Sequence, residues 1–313
     1  MKTKETILAI GADLKSRFLF GKEGSLHPGP DIGDLSDVSN YERFKIETEL
    51  LARDVGASPK VVVCDLHPAY FSTKFAKDGQ SWFARDYKLV QIQHHHAHIA
   101  SVMQEYALKG PVIGVSFDGT GYGTDGNIWG GEFLIVNREG FTRSAHFKYR
   151  MMPGGDRVVS EPWRMAVSVL GEEACSAITK VSGKDKDLVL AMMSKNINVP
   201  LTSSAGRLFD AAAALIGVCE YASHEAEGPI KLEAICEEDV EENYGYETVN
   251  NGTCDIIDVK ITFKKMLEDI KKGRKKSVIA AMFHNTICEI IVKTVKKLSE
   301  QRGIKDVALS GGV

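Results

Sequence analysis

The 313-residue sequence has few of the features that would place it among metal-knuckle, redox, secreted or membrane proteins. It contains six cysteines but no C-x-x-C pair, which excludes a zinc knuckle and a dithiol redox motif. Scattered single cysteines are typical of a reducing compartment. No apolar run approaches the ~18 residues of a membrane span, and the N-terminus does not have the apolar core of a signal peptide. We therefore expect a cytoplasmic protein that does not associate with membranes.

The sequence also lacks a strong excess of either charge. Lysine and arginine total 39 against 42 acidic residues, a net charge of −3. No basic excess favours nucleic acid, and no acidic excess indicates disorder. The lysine-rich segment KKMLEDIKKGRKKS has no interleaved aromatic residues, so we interpret it as a solvated helix end and turn. With 43% hydrophobic residues the chain can form one large domain or two smaller ones, and we expect no nucleic-acid partner.

One strand pattern occurs twice along the chain. Apolar runs at 7–10 and 17–20 flank a polar hairpin, and runs at 111–118 and 127–136 flank the segment GTGYGTDG. Two copies of one layout predict two related α/β lobes. We place the first lobe at residues 1–110 and the second at 111–313.

The second lobe is predicted to be rich in helices after its two strands. Candidate helices cover 161–170, 186–194, 206–218, 229–236 and 278–302, with Ser277 as the cap of the last. A final strand at 306–310 leads into two glycines, where an α/β lobe normally continues into a helix. We therefore expect the second lobe to be incomplete at its C-terminus.

Four of the nine histidines fall in the segment QHHHAHIAS. A helix that starts at His94, directly after a strand, places His94 and His98 on one face, a spacing that suits two imidazoles on one cation. Asp118 ends the neighbouring strand, at the sheet edge where α/β proteins place their sites. A capping or solvated cluster is the alternative. We predict a metal site of His94, His98 and Asp118; the set suits Fe²⁺, Mn²⁺ or Zn²⁺, and Mg²⁺ less naturally.

The segment DGTGYGTDG follows the predicted aspartate ligand. Its glycines, including Gly119, Gly121 and Gly123, let backbone N–H groups approach an anion closely. The pattern is not a P-loop, and a strand rather than a helix follows it. A flexible hairpin is the alternative, but the neighbouring ligand favours a phosphate-bearing molecule.

Two further segments are weaker candidates for nucleotide contacts. In SSAGRLFDAAAALIG, Ser203 and Ser204 can cap a helix, and Asp210 can contact a ribose hydroxyl. A packed helix with one polar turn is the alternative interpretation. At the end of the chain, Gly311 and Gly312 follow a strand and can lie against an adenine or a phosphate.

Taken together, the segments resemble one family over nearly the whole chain and in the same order. The matching runs are IGADLKSRF, DIGDL, CDLHPAYFST, QHHHAHIAS, FDGTGYGTDGNIWGGE, MPGGD, EPWRMA, SSAGRLFDAAAALIG, FHNT and LSGGV. They resemble the C-terminal carbamoyl-transfer domain of the HypF hydrogenase maturation carbamoyltransferases. This resemblance implies an actin/Hsp70/sugar-kinase-like (ASKHA) fold of two duplicated α/β lobes with ATP in the cleft, the second lobe truncated here.

The resemblance also implies a reaction. Family members pass a carbamoyl group from carbamoyl adenylate to the C-terminal cysteine of HypE, in the synthesis of the cyanide ligand of [NiFe] hydrogenase. The expected cofactors are a divalent metal (Fe, Zn, Mn or Mg) and ATP, AMP or carbamoyl adenylate. The YrdC-like domain that makes the adenylate has no counterpart here, so we expect a separate YrdC-like domain or protein to supply it.

Residue by residue, the resemblance assigns the metal to His94, His98 and Asp118 and assigns no further catalytic residue. It implies that Asp210 lies on the ribose with Gly206 near it, that Gly311 and Gly312 line the adenosine, and that Gly119, Gly121 and Gly123 face the phosphates. A further family aspartate beyond SGGV has no counterpart in this sequence.

One segment departs from the family pattern. Where members commonly have Tyr-Glu-Gly-x-Ala-Ala-Ile-Glu-Leu-Glu, this chain has HEAEGPIKLE, so that His224 and Ala226 replace the tyrosine and the glycine. Two alternatives to the HypF reaction stay open. One is a related carbamoyl or threonylcarbamoyl transferase with another acceptor. The other is a non-catalytic remnant that still binds HypE or ATP.

Overall fold

The computed structural model describes residues 5–137 and 139–313 and divides into two compact units. The first unit contains the described residues up to His94, and the second runs from His95 to Val313. The boundary falls in the first turn of one helix, so that this helix belongs almost entirely to the second unit. Each unit is built around its own sheet.

The first unit is a five-stranded sheet in the order β3-β2-β1-β4-β5. Strands β1, β2 and β3 form antiparallel pairs, whereas β1, β4 and β5 run parallel. The strands are β1 (Ile7–Ile10), β2 (Phe18–Lys22), β3 (Ser25–Pro28), β4 (Val61–Asp65) and β5 (Lys88–Ile92), with helices α1 (Val38–Asp54) and α2 (Phe71–Asp78).

Aromatic packing holds the helices of this unit on its sheet. Asp37 caps α1 by accepting hydrogen bonds from two backbone amides, and Phe44, one of the buried residues of α1, packs on Phe18 and Phe75 at ring-centroid distances of 5.8 and 5.0 Å. The apolar run of β4 pairs with β5 so that Asp65 lies opposite Ile92. Strands β4 and β5 therefore end at the same edge of the sheet, and the histidine segment directly follows β5.

The second unit contains an eight-stranded sheet. Its central strand β6 pairs antiparallel with β7 and parallel with β13, and β7 pairs antiparallel with β8. The order β8-β7-β6-β13 repeats the order β3-β2-β1-β4, as two duplicated lobes require. The strands are β6 (Val112–Tyr122), β7 (Ile128–Val136), β8 (Phe141–Phe147), β9 (Arg150–Met151), β10 (Leu201–Thr202), β11 (Glu247–Asn250), β12 (Asp255–Asp258) and β13 (Val307–Ser310).

Helices cover both faces of this second sheet. They are α3 (His94–Glu105), α4 (Arg157–Ser160), α5 (Trp163–Leu170), α6 (Gly183–Ser194), α7 (Ala205–Leu215), α8 (Glu227–Ala234), α9 (Lys260–Lys271) and α10 (Lys276–Arg302), with a 3₁₀ turn at Gly171–Ser176. All of α7 is buried, because its small residues allow α5, α8 and β6 to approach closely. Among the described residues α10 is the one helix long and apolar enough to span a membrane, and half of its most apolar window is buried in the core.

Helix α3 packs on the sheet face opposite the main core. Ile99 and Met103 form a buried cluster with Val112 and other apolar residues of β6, β7 and β13. A Cβ at Gly114 would lie 2.5 Å from Ile99, so only glycine allows this close approach. The contact fixes the helix against β6, the strand that carries Asp118.

Some local predictions were wrong. Strand β6 does not end at Asp118 but continues to Tyr122, because a register shift after Phe117 lets Gly121 pair with Trp129. Helix α10 has Lys275 rather than Ser277 as its N-cap, since the Ser277 hydroxyl donates to Glu237 instead. The hairpin of β11 and β12 was not predicted, because β11 is fully exposed and has no alternation of apolar residues.

Candidate metal centre

Three side chains predicted as metal ligands lie together. Ligand atoms of His94, His98 and Asp118 are all within 4.8 Å of one another, and each residue is half-buried. Nε2 of His98 is 3.3 Å from Oδ2 of Asp118. Two imidazole nitrogens and one carboxylate oxygen on one side of a small space are a donor set that fits a divalent transition metal.

The helix position explains why two of the four histidines do not join this cluster. His94 and His98 are one turn apart on α3, whereas His95 and His96 point to other sides. His95 is fully buried near Trp129, and the ring of His96 packs on Phe141 at 5.1 Å. Burial lowers the pKa of His96.

Each candidate histidine ligand is also held by a second residue. Nδ1 of His94 lies 2.8 Å from Oδ2 of Asp65, whose other oxygen accepts from the amide of His67. Nδ1 of His98 forms a hydrogen bond of 3.2 Å with the hydroxyl of Ser310. A carboxylate on the far nitrogen of a metal-binding histidine fixes the tautomer and directs Nε2 toward the cation. Sequence reasoning missed both partners, although Asp65 ends the strand paired with β5.

The structure brings several of the predicted glycines to Asp118. The Gly119 amide donates to Oδ1 of Asp118 at 2.7 Å. A Cβ at Gly206 would lie 3.0 Å from the Cα of Gly119, and one at Gly312 would lie 3.2 Å from Oδ1 of Asp118. Gly311 has φ +122°, and a Cβ there would be 1.8 Å from the Phe117 carbonyl oxygen. Side chains at these positions would crowd Phe117, Asp118 or Gly119.

The other predicted glycines have a different setting. Gly121 lies in β6 opposite Trp129, and a Cβ at Gly123 would be 2.2 Å from Nε1 of that indole. The tip of the segment is braced, because Asp125 accepts hydrogen bonds from Trp129 Nε1 at 2.9 Å and from the Tyr149 hydroxyl at 2.5 Å. The hairpin is therefore held by one side chain of β7 and by one from the connection between β8 and β9.

Asp210 is buried in α7 beside an arginine that sequence reasoning did not single out. Nη1 of Arg207 lies 2.9 Å from Oδ2 of Asp210, and both side chains are about 5% exposed or less. Neither atom, nor Nε of Arg207, has a partner with hydrogen-bond geometry within residues 5–137 and 139–313. Burial raises the pKa of Asp210 to about 6, against the opposing charge of Arg207. Arg207 also borders the glycine segment, since its Nη2 would lie 3.5 Å from a Cβ at Gly119.

Glu132 on β7 is a second buried carboxylate near these elements. Glu132 accepts from the amides of Gly130 and Gly131, from Ser203 Oγ at 2.5 Å and from Arg143 Nε at 2.6 Å. Ser204, which follows Ser203 in the sequence, caps α7, and its hydroxyl donates to the Asp118 carbonyl at 2.7 Å. This group links β7, β8 and the start of α7.

The departures lie at the start of α8, a helix that contacts Asp210 through Gly228. Ala226 adopts φ +61° as the N-cap of α8, a conformation that favours glycine. The His224 side chain is 63% exposed, with Nδ1 3.5 Å from Glu227. Gly228 approaches Asp210 so closely that a Cβ would lie 3.2 Å from Oδ1. The altered segment therefore borders the buried acid.

Comparisons with known proteins all point to one family. Residues 2–105 match the family model "HypF Kae1-like domain", and residues 114–313 match "Carbamoyltransferase, Kae1-like Domain, second subdomain". A carbamoyltransferase HypF homolog of Cupriavidus necator is 35% identical over 98% of this chain and 80% of its own length. A probable carbamoyltransferase HypF of Methanocaldococcus jannaschii is 31% identical over 100% of this chain and 41% of its own.

Solved structures give the same result. Full-length HypF in a phosphate- and nucleotide-bound form superposes with a TM-score of 0.93 at 35% identity, covering 99% of this chain and 49% of that one. The structure of T. kodakarensis HypF has a TM-score of 0.88 at 33% identity, covering 98% and 42%. These matches confirm the expected ASKHA-like fold. The chain spans less than half the length of both solved proteins.

Proposed function

The chain belongs to the HypF carbamoyltransferase family, and we propose that it transfers a carbamoyl group from carbamoyl adenylate to a protein thiol. The acceptor in this proposal is the C-terminal cysteine of a HypE-like protein, in the synthesis of the cyanide ligand of [NiFe] hydrogenase. The observation that carries the proposal is the convergence of His94, His98 and Asp118 beside the glycines of two other segments.

The proposed step is an acyl transfer. The sulfur of the acceptor thiolate attacks the carbamoyl carbon, a C–S bond forms, and the bond from that carbon to the phosphate oxygen breaks. AMP leaves with the electron pair, and the thiol proton passes to solvent. Within this chain, burial raises the pKa of four cysteines, which disfavours their thiolates: Cys64, Cys175, Cys219 and Cys236.

The residues of this chain would hold and orient the mixed anhydride. His94, His98 and Asp118 would bind a divalent cation, which withdraws electrons from a coordinated phosphate or carbonyl oxygen. Asp65 and Ser310 keep both imidazoles in place, so that little reorganisation is needed during the reaction. The nitrogen-rich donor set favours Fe²⁺, Zn²⁺ or Mn²⁺ over Mg²⁺.

The nucleotide part of the proposal rests on α7 and the terminal glycines. Gly206, Gly311 and Gly312 pack closely around Phe117, Asp118 and Gly119, and we propose that the nucleotide lies along this glycine backbone. Asp210 is a buried acid with an incomplete set of hydrogen bonds, and a ribose hydroxyl would donate to it. Gly119, Gly121 and Gly123 are proposed to face the phosphates. Carbamoyl adenylate would come from a separate YrdC-like domain or protein, in the cytoplasm.

A direct transfer assay tests the proposal. Carbamoyl adenylate, a divalent cation and a purified HypE-like protein are mixed with the chain, and the acceptor is weighed by mass spectrometry. We expect a carbamoyl adduct on the C-terminal cysteine, lost in His98→Ala and retained in His96→Ala, which alters the same helix outside the ligand cluster.

The remaining outcomes separate the alternatives. Release of AMP without an adduct would show that the site activates the anhydride but serves another acceptor. Neither AMP nor adduct from a folded, metal-loaded chain would contradict the transferase proposal and favour a binding remnant.

A further inference from the structure

Arg207 on α7 is a buried arginine whose guanidinium donors are largely unused. The residue is 4% exposed, and neither Nε nor Nη1 has a hydrogen-bond partner among the described residues of the chain. Nη1 lies 2.9 Å from Oδ2 of Asp210 but outside hydrogen-bond geometry. Leaving a buried polar group without a partner costs free energy, and the cost is larger for a charged group. The unused donors therefore point to a ligand that brings acceptor oxygens.

Arg164 shows how the fold itself satisfies an arginine that is equally buried. It is 5% exposed, its Nε donates to Glu161 at 2.5 Å, and its Nη1 donates to the carbonyl of Pro153 at 3.3 Å. The Nε and Nη1 of Arg207 have no such acceptors in the described part of the chain. Packing of the fold therefore accounts for Arg164 but not for the donors of Arg207.

The remaining nitrogen of this guanidinium, Nη2, faces Gly119. Apart from its chain neighbours, a Cβ at Gly119 would meet one described atom within 4 Å, the Nη2 of Arg207 at 3.5 Å. That is an ordinary contact, and Gly119 does not have a positive φ. Neither packing nor backbone conformation therefore requires glycine at this position. Because Gly119 is half-buried, the space between its backbone and Nη2 can take a ligand atom.

This space lies beside Asp118, the candidate metal ligand. The Gly119 amide donates to Oδ1 of Asp118 at 2.7 Å. The Ser204 hydroxyl donates to the Asp118 carbonyl at 2.7 Å and accepts from the Arg207 amide at 3.1 Å, which fixes the start of α7 against the aspartate. A guanidinium only donates hydrogen bonds, and its strongest acceptors are the oxygens of anions such as phosphate.

We propose that Nη2 of Arg207 binds the phosphate of carbamoyl adenylate over Gly119 and stabilises the charge that this phosphate gains as AMP leaves. The inference rests on the proposed transfer reaction. In that step the bond from the carbamoyl carbon to the phosphate oxygen breaks and its electron pair stays on the oxygen, so the phosphate gains one negative charge. Arg207 keeps its proton throughout, and its buried position means that little reorganisation is needed.

The first test compares AMP with adenosine, which lacks the phosphate. Calorimetry with the full chain and Mn²⁺ measures both affinities. Arg207→Met should weaken AMP binding about tenfold or more and change adenosine binding less than about twofold, because the lost hydrogen bond goes to a charged group. Arg207→Lys keeps a positive charge beside Asp210 and should show a smaller loss for AMP alone. The matched control Arg164→Lys should leave both affinities unchanged.

Three outcomes of this test would overturn the proposal. Equal losses for AMP and adenosine would give Arg207 a purely structural role, such as the positioning of Asp210. Unchanged AMP binding in both Arg207 variants would remove the residue from the phosphate site. An unchanged chain that binds neither AMP nor adenosine would contradict the nucleotide part of the proposed function as well.

The second test fills the space between Gly119 and Arg207. Gly119→Ala adds a Cβ that the fold accommodates, so we expect no loss of stability in urea but AMP binding weakened several-fold, with adenosine unchanged. Gly183→Ala makes the same change at the exposed start of α6, where a Cβ meets nothing within 4 Å among the described residues, and should leave AMP binding unchanged. Equal AMP affinities of the two variants would contradict a phosphate over Gly119.

Kinetics separate this proposal from the transfer reaction itself. With a HypE-like acceptor, Arg207→Lys should lower kcat about 100-fold and leave the KM for the acceptor unchanged. If the Arg207 variants lose AMP selectively but the unchanged chain transfers no carbamoyl group, the phosphate contact stands and the transfer reaction does not. If both Arg207 variants transfer the group at the unchanged rate, the reaction stands and the assignment of Arg207 is wrong.

Discussion

Two carboxylates of the second unit are buried beside an arginine, Glu132 on β7 and Asp210 on α7, and their pKa values move in opposite directions. Burial opposes ionisation of Glu132, but the charge of Arg143 and hydrogen bonds from Arg143 and Ser203 outweigh it and lower the pKa. Burial also acts on Asp210, where the charge of Arg207 compensates only in part, and the pKa rises to about 6.

The difference between these two acids is the number of hydrogen bonds they accept. Glu132 receives two amides, a hydroxyl and a guanidinium, whereas Asp210 has an arginine without hydrogen-bond geometry to Oδ2. An ion pair alone does not repay the desolvation of a buried carboxylate. A complete network supports the fold, and an incomplete one beside the glycine segment is the arrangement that a bound polar ligand would complete.

The largest effect is expected when Arg143 is removed from the hydrogen-bond network of Glu132. Arg143→Met leaves Glu132 buried without its counter-charge, and we expect the free energy of unfolding to fall by about 3–5 kcal/mol. Urea unfolding at neutral pH measures this. The control Lys148→Met removes an ion pair whose lysine is 53% exposed, and should change stability by less than about 1 kcal/mol. Equal effects of the two variants would contradict the role given to Glu132.

Measuring stability as a function of pH tests Asp210, the carboxylate with the incomplete set of hydrogen bonds. The pKa of Asp210 rises from 3.8 to about 6 on folding, so its stabilising effect is complete below 3.8 and is lost as pH rises through 6. At about 1.4 kcal/mol per pH unit this amounts to about 3 kcal/mol. Because Asp210→Asn cannot ionise, its stability relative to the unchanged chain should increase by most of this amount between pH 4 and pH 7. A difference that stays constant with pH would show that Asp210 ionises normally in the fold.

A third buried carboxylate extends the comparison to a histidine partner. Asp65 is 8% exposed and holds His94 at 2.8 Å. Asp65→Asn keeps the shape but weakens this bond, so we expect divalent-metal affinity to fall about 10–100-fold, measured by calorimetry with Zn²⁺. Asp54→Asn makes the same change on the exposed end of α1 and should leave affinity unchanged. Unchanged affinity in both variants would remove Asp65 from the site.

The smallest effect on stability is expected for an ion pair on the protein surface. Arg43 and Glu47 lie 3.9 Å apart on α1, with side chains 48% and 37% exposed. Water screens this pair, so Arg43→Gln should change the free energy of unfolding by less than about 0.5 kcal/mol. A loss as large as that in Arg143→Met would mean that burial does not separate the two kinds of pair.

Much of the fold and of the candidate metal centre was predictable from local patterns. The i, i+4 spacing of His94 and His98 places them on one face of any helix, and the repeated strand layout predicted duplicated lobes. The hairpin of β11 and β12 was not predictable, because its exposed strand has no apolar alternation. The bulge in β6 also escaped prediction, since it depends on pairing of Gly121 with Trp129.

The sequence by itself therefore determined the family, the two-lobe fold and the residue types of the candidate metal ligands, because these follow from short spacings and ordered motifs. Only the tertiary structure decided which groups orient those ligands. His94 meets Asp65 across 29 positions, and His98 meets Ser310 across 212. Such partners depend on which strands become neighbours in a sheet, and that is set by burial of the whole core rather than by local sequence.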